Sequence, residues 1–210
     1  MRIYRLVNQD PTGYLLSEDT VPKVLNANES PRSISARWCE KKSGYKPDIV
    51  RLYSGWPNMA FSARVREQLE GSEHAIGEWS QINVDDTVLW LFHSTLVVDA
   101  LDESLSEIKR LPSGHISPIR IHVFKPELVP KNRLFMLKTR PYDLLCSDEF
   151  VDKVSEFDWK GFMFEPVWDS NFEPFPDGPY RRELLARPEI YGPDGIVKGY
   201  EGSWPEEWKK

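Results

Sequence analysis

The run Ser94-Thr-Leu-Val-Val-Asp-Ala-Leu-Asp-Glu-Ser-Leu-Ser-Glu107 starts as strand and breaks into carboxylates and hydroxyls. Leu96, Val97 and Val98 suit a pleated, buried segment. From Asp99 onward the side chains can hydrogen-bond nearby backbone, which favours a turn over continued sheet. A second run, Trp159-Lys-Gly-Phe-Met-Phe-Glu-Pro-Val-Trp168, has the same logic with different punctuation. Gly161 opens it, residues 161–164 read as a strand, and Pro166 is expected to end it. Two extended apolar runs, each stopped by polar or proline punctuation, point to a sheet-based fold.

Working outward, residues 88–92 (Val-Leu-Trp-Leu-Phe) read as a buried strand. Residues 119–124 alternate, which predicts Ile119, Ile121 and Val123 on one face and Arg120, His122 and Phe124 on the other. Residues 134–137 and 142–146 are two further short strands, and residues 2–7 an opening one. Helix signals are few. Ser62 can cap a helix carrying Val65 and Leu69, with Gly71 as its stop. Ser147, followed by Asp148 and Glu149, can start another whose apolar stripe is Phe150, Val151, Val154 and Phe157. Residues 26–57 read as polar and turn-rich, with Trp38 and Trp56 set among loop formers. The expected class is α+β: a mixed, mainly antiparallel sheet, a few short helices, and a Pro- and aromatic-rich C-terminal extension. Three parts are expected in one compact unit. Residues 1–87 form an N-terminal α+β part with Trp-containing loops, residues 88–168 a central core, and residues 169–210 the extension.

Composition narrows the function. A formal net charge of −6 disfavours nucleic acid as a direct partner, since phosphate contacts need clustered Lys and Arg. It suits a basic protein partner. The longest apolar stretch, broken at residues 93–95, is far short of the ~20 residues a membrane-spanning helix needs. The opening Met-Arg-Ile-Tyr-Arg-Leu-Val lacks the apolar core of a secretion signal, so a cytoplasmic location and no membrane partner are expected. Cys39 and Cys146 are then two reduced thiols.

The chain has no Gly-rich phosphate loop, H-E-x-x-H, C-x-x-C or G-x-S-x-G. His93 and His122 with Asp99 or Asp102 could meet across a sheet and bind a metal, but placement on polar strand faces or loops is the simpler account of the histidines. Asp99 and Asp102, with Glu103, could act as paired carboxylates; capping of exposed amides at a strand end explains them sufficiently. Arg37 beside Cys39 has no base to activate a thiol. No catalytic residue, metal site or cofactor is expected. The best candidate surface is aromatic and acidic: Trp168, Asp169, Phe172, Glu173, Asp177, Tyr180 and Trp204, a pattern of anchors and selected charges that suits protein contact. The competing account is that these aromatics pin a proline-rich segment to its own core.

The two runs, in this order and spacing, resemble the Imm11 immunity-protein family. Val98, Asp99, Leu101, Asp102 and Ser106 carry the resemblance in the first run, and Gly161, Phe164, Pro166 and Val167 in the second. It covers residues 88–168, with weaker support from residues 3–6 and 61–65. Residues 33–57 and those beyond 168 depart from the pattern. The resemblance implies a mixed α/β domain, non-enzymatic, that binds and neutralises a cognate toxin encoded beside it by occluding the toxin's active site. It implies scaffold roles for Asp99, Leu101, Asp102, Ser106, Gly161, Phe164 and Pro166. The alternatives are a small metal-dependent or nucleotide-handling enzyme built on His93, His122, Asp99 and Asp102, and an adaptor of a secretion system.

Overall fold

The computed structural model describes residues 1–8, 14–17, 34–38, 47–52, 59–85, 87–110 and 116–170. Strand β1 (Arg2–Asn8) opens the chain, followed by β2 (Tyr14–Ser17), β3 (Ile34–Trp38), β4 (Ile49–Leu52) and β5 (Met59–Phe61). Helix α1 (Ala63–Leu69) precedes β6 (Gly77–Val84) and β7 (Thr87–Ser94). Then come β8 (Val97–Val98), β9 (Glu107–Arg110), β10 (Ile116–Ile121), a 3-10 turn at Pro126–Leu128, β11 (Leu134–Leu137), β12 (Arg140–Ser147), α2 (Asp148–Ser155) and β13 (Phe162–Asp169). Most pairings are antiparallel, with parallel exceptions at β8–β11, β2–β4 and β3–β6. The class is α+β, as the sequence predicts.

The strands build two bodies. β2, β3, β6, β7, β5 and β4 close a small barrel in that order, while β13, β1, β12, β11 and β8 form an open five-stranded sheet. The pleat divides the barrel residues cleanly. Val50, Ala60, Ile82, Val84, Leu89 and Leu91 form one buried cluster, the barrel's filling. Their chain neighbours Ile49, Met59, Phe61 and Phe92 turn the other way, into a larger core with Tyr4, Leu6, Leu134, Met136, Leu144 and Phe164 of the sheet and the buried sides of both helices. On the opposite face of the sheet, Ile3, Phe135, Leu137, Leu145 and Val167 pack with Ala100, Leu101, Ile119, Phe124 and Val129. That face lies under the paired strands β9 and β10 and their flanks.

The barrel was not foreseen. Residues 34–38 and 49–52 fall in the stretch read as irregular, yet β3 pairs with β2 and β6 while β4 pairs with β2 and β5. Such short strands have little pattern of their own; their backbone partners come from distant chain. The expected boundary after residue 87 falls at the first residue of β7, which is laddered along its whole length with β6.

Three local expectations need correcting. Pro166 does not end its strand: β13 runs on to Asp169. It can do so because β13 is an edge strand and its pairing with β1 shifts register at this point, so the missing N–H breaks no ladder bond. In β10, register shifts between Ile116 and Ile119 and between Ile119 and Ile121 turn the alternation over. His122 and Phe124 are therefore interior with Ile119, while Ile121 and Val123 are half-buried. Finally, Val97 and Val98 form only a two-residue edge strand, and Val97 is 48% exposed.

The helices follow their signals. Ser62 caps α1, its Oγ accepting from Val65 N and donating to Asp48 Oδ1 at 2.6 Å. Asp48 is a buried hub. It also takes Arg64 Nη2 at 2.6 Å and Lys160 N at 2.9 Å, tying β4, α1 and the approach to β13 together. Ser147 begins α2 but donates its hydroxyl to Glu149 and accepts from Asn132 N.

Two stability predictions follow from this packing. Gly77 pairs with Ser94 at the start of the β6–β7 ladder, and a Cβ there would overlap the His93 carbonyl oxygen and the Phe92 ring. Gly77→Ala should therefore lower the unfolding free energy by about 1–3 kcal/mol in urea titration. Asp48→Ala should cost about 2–3 kcal/mol, because charge-assisted bonds are lost and the Lys160 amide is left without its acceptor. An unchanged urea midpoint would contradict either expectation.

Candidate functional site

The run from Ser94 to Glu107 is where the chain crosses from barrel to sheet. Ser94, at the end of β7, is buried, and its Oγ accepts from Leu96 N and lies against the carbonyls of Ile76 and Leu134. Met136 N and Lys138 N then donate to the Leu96 and Val98 carbonyls at 2.9 Å, which docks β8 on β11. Beyond the crossing, Asp102 Oδ1 accepts from Ser104 N, Ser104 Oγ and Leu105 N. The Ser104 hydroxyl, with the two amides, holds the Asp102 carboxyl below its ordinary range. Ser106 Oγ donates to the Val123 carbonyl and accepts from its amide, and Leu101 bridges to Phe124. Asp99, 61% exposed, pairs with Lys138 at 3.5 Å. In the second run Gly161 takes φ +81°, a backbone position that suits glycine. Phe164 is fully buried on β13.

The expected partner surface divides. Trp168 and Asp169 are interior, 6% and 2% exposed. Trp168 packs on Phe124, and Asp169 Oδ2 accepts from Arg2 Nε at 2.9 Å. They are the last pairs of β13 on β1, Trp168 turned with Ile3 into the cluster on one face and Asp169 held on Arg2, so both side chains are buried and not on the expected surface. Phe172, Glu173, Asp177, Tyr180 and Trp204 lie outside the described residues, as do Cys39 and His115.

The metal-site alternative loses its geometry. His93 stands opposite Glu78 in the barrel wall, Asp99 is on Lys138, Asp102 is engaged in its turn, and His122 stacks on Phe124 at 6.0 Å. Among the described residues no three His, Cys, Asp or Glu side chains gather in a way that could hold a metal ion. Cys146 is buried, and burial pushes its thiol well above the ordinary range, unsuited to nucleophilic work.

Two features escaped the sequence reading. The first is a row of alternating charge across the sheet. Arg5 on β1 reaches Glu165 on β13 at 3.3 Å and Asp143 on β12 at 3.6 Å, and Arg140 Nε meets Asp143 at 2.8 Å. Burial alone would raise the Asp143 carboxyl, but Arg5, Arg140 and His122 together bring it below its ordinary range. Nothing in the local pattern pairs Arg5 with Glu165; strand register does. The second is the outer surface. Helix α2 presents Glu149, Asp152 and Glu156 to solvent, with Asp148 half-buried. Burial, then Asp148 and Glu149, raise the Asp152 carboxyl, the mark of crowded negative charge. On the β6–β7 hairpin, Arg66 of α1 stacks over Trp90 at 3.5 Å from the ring centroid, and Val88 is 45% exposed.

This arrangement is a scaffold whose polar groups mostly serve strand ends and helix caps, with exposed acids on α2. The model of the Imm11 immunity protein family matches residues 10–169, and the chain belongs to that family. The match takes in the barrel and residues 33–57, so the family unit is wider than the two runs by which the sequence resembles it. No curated protein matches the chain. Among the described residues no helix is long and apolar enough to cross a membrane.

The charge row yields a pH prediction. Because the folded state depresses the Asp143 carboxyl below the ~3.9 of an unfolded Asp, its contribution is complete above that pH. It is lost as pH falls through the folded value. Asp143→Asn should lower the urea midpoint at neutral pH and flatten its decline below about pH 4 relative to the unaltered chain. Parallel acid limbs for the two proteins would contradict the assignment.

Proposed function

We propose that this chain is a non-enzymatic immunity protein that binds a cognate protein toxin, encoded beside it, and neutralises it by covering the toxin's active site. The observation that carries this reading is the family match over residues 10–169. The geometry supports a binding role over a chemical one. The Asp and His residues with catalytic potential have separate structural neighbours, and the crowded acids of α2 lie on the surface. Negative surface charge speeds capture of a basic partner and disfavours nucleic acid. In this reading the partner is a protein met in the cytoplasm, with no cofactor, nucleic acid or membrane involved.

Residues Phe172, Glu173, Asp177, Tyr180 and Trp204 are proposed as part of the contact surface. Trp168 and Asp169 would hold the start of that segment, since both are fixed within β13 immediately before it.

Co-expression of this protein with the product of each adjacent gene tests the reading directly. One neighbour is expected to arrest growth alone, to be silenced by this chain, and to co-purify with it in fixed stoichiometry. A folded chain that rescues growth from no neighbour and binds none of them would overturn the proposal.

A further inference from the structure

We propose that the outer face of the β6–β7 hairpin, centred on Trp90 and Val88, is a contact surface for the toxin, taking a basic loop with an apolar tip. The inference rests on the immunity reading and names the surface that reading needs.

β6 and β7 are paired without a break from Gly77–Ser94 to Val84–Thr87. Inward positions Ile82, Val84, Leu89 and Leu91 fill the barrel. Outward positions fall into two groups. Trp79 and Phe92, near the Ser94 end, join the core shared with the five-stranded sheet. Farther along the same outer face, Gln81 is exposed, Val88 is 45% exposed, and Trp90 is only half-buried. Trp90 and Val88 are thus beyond the cover that takes in Phe92.

Neither residue is required to fill a core. The guanidinium of Arg66 lies over the Trp90 ring, and Glu70 holds that guanidinium through an Nη2–Oε1 contact of 2.7 Å. The indole is thereby fixed in one orientation while an edge stays in reach. A rigid Trp beside an Arg, flanked by an exposed Val, has the composition of an interface anchor, and its long ladder reduces the ordering a partner must impose.

Charge selects the partner. Around this face stand exposed Glu67 and Glu70 on α1 and Asp85 at the hairpin tip, where φ is +47°. The cation over the indole, Arg66, is already paired with Glu70, and Arg64 of the same helix is paired with Asp48. The rim is therefore net negative, in keeping with the chain's overall −6, and complements a basic surface. Beside the acids of α2 the half-buried aromatic, Phe157, packs against the core and stacks on Trp159, so the hairpin is the better anchor.

The test measures affinity for the purified adjacent-gene product that co-purifies with the full chain. Val88→Arg and Trp90→Ala should each weaken binding at least tenfold, with Tm retained for Val88→Arg, whose position is exposed. Leu105→Ser, which alters a still more accessible apolar residue in the turn after Asp102, should leave affinity unchanged. Binding by the unaltered chain should weaken as salt rises. If Val88→Arg and Trp90→Ala bind as the unaltered chain does, the hairpin surface is overturned and the immunity reading stands. If Trp90→Ala does not fold, Val88→Arg alone decides. If the unaltered chain binds no neighbour, both inferences fall together.

Discussion

A sheet that is apolar on both faces has to be covered twice, and the architecture answers that constraint. β1 shows it most clearly. It lies between β12 and β13, with Ile3 turned to one side and Tyr4 and Leu6 to the other, all within a core. The barrel wall and both helices cover the second side; Ala100, Leu101, Ile116, Ile119, Phe124 and Val129 cover the first. Burial of this kind is the main favourable term in folding, so neither cover can be removed without exposing half of the sheet's apolar surface. Tyr4 registers the same enclosure: burial, against the pull of Arg2, pushes its hydroxyl up to about 12.

The polar side chains make this enclosure consistent with hydrogen-bonding needs. Wherever the chain leaves one body for the other, backbone groups lose their ladder partners and must find new ones. Ser94 does this at the exit from the barrel, Asp102 and Ser106 in the turn that follows, and Asp48 where β4, α1 and the approach to β13 meet. Several residues that carry the family resemblance are of this kind. They keep the covers in place.

Such a frame fits a protein whose task is capture. A binder needs a rigid frame and a surface whose charge and apolar anchors match one partner. Here the frame uses its carboxylates inwardly, at Asp48, Asp143 and Asp169, where each faces an arginine. Outwardly, the acids of α2 and of the hairpin rim set the sign of the field. The same residue type thus serves stability in one place and surface charge in another, and burial with partners decides which.

Local chemistry was legible wherever it was strong. The cap at Ser62, the helix start at Ser147, the apolar stripes of both helices, the strands at 2–7, 88–92, 134–137 and 142–146, and the turn after Asp99 could all be read from neighbouring residues. Each depends on spacing within a few positions. The barrel could not be read, because β2 to β5 are strands of three to five residues whose partners lie far along the chain. The interior places of His122 and Trp168 were hidden for a related reason. A shifted register in β10 and an edge strand that continues through Pro166 reverse or extend what alternation and proline imply. Sequence alone determined the α+β class, the helix starts, the acidic balance and the family resemblance, since all of these are local or compositional. Tertiary structure alone decided barrel closure, the Arg5–Asp143–Glu165 row, and which aromatics face water, because long-range register is what sets a side chain's face.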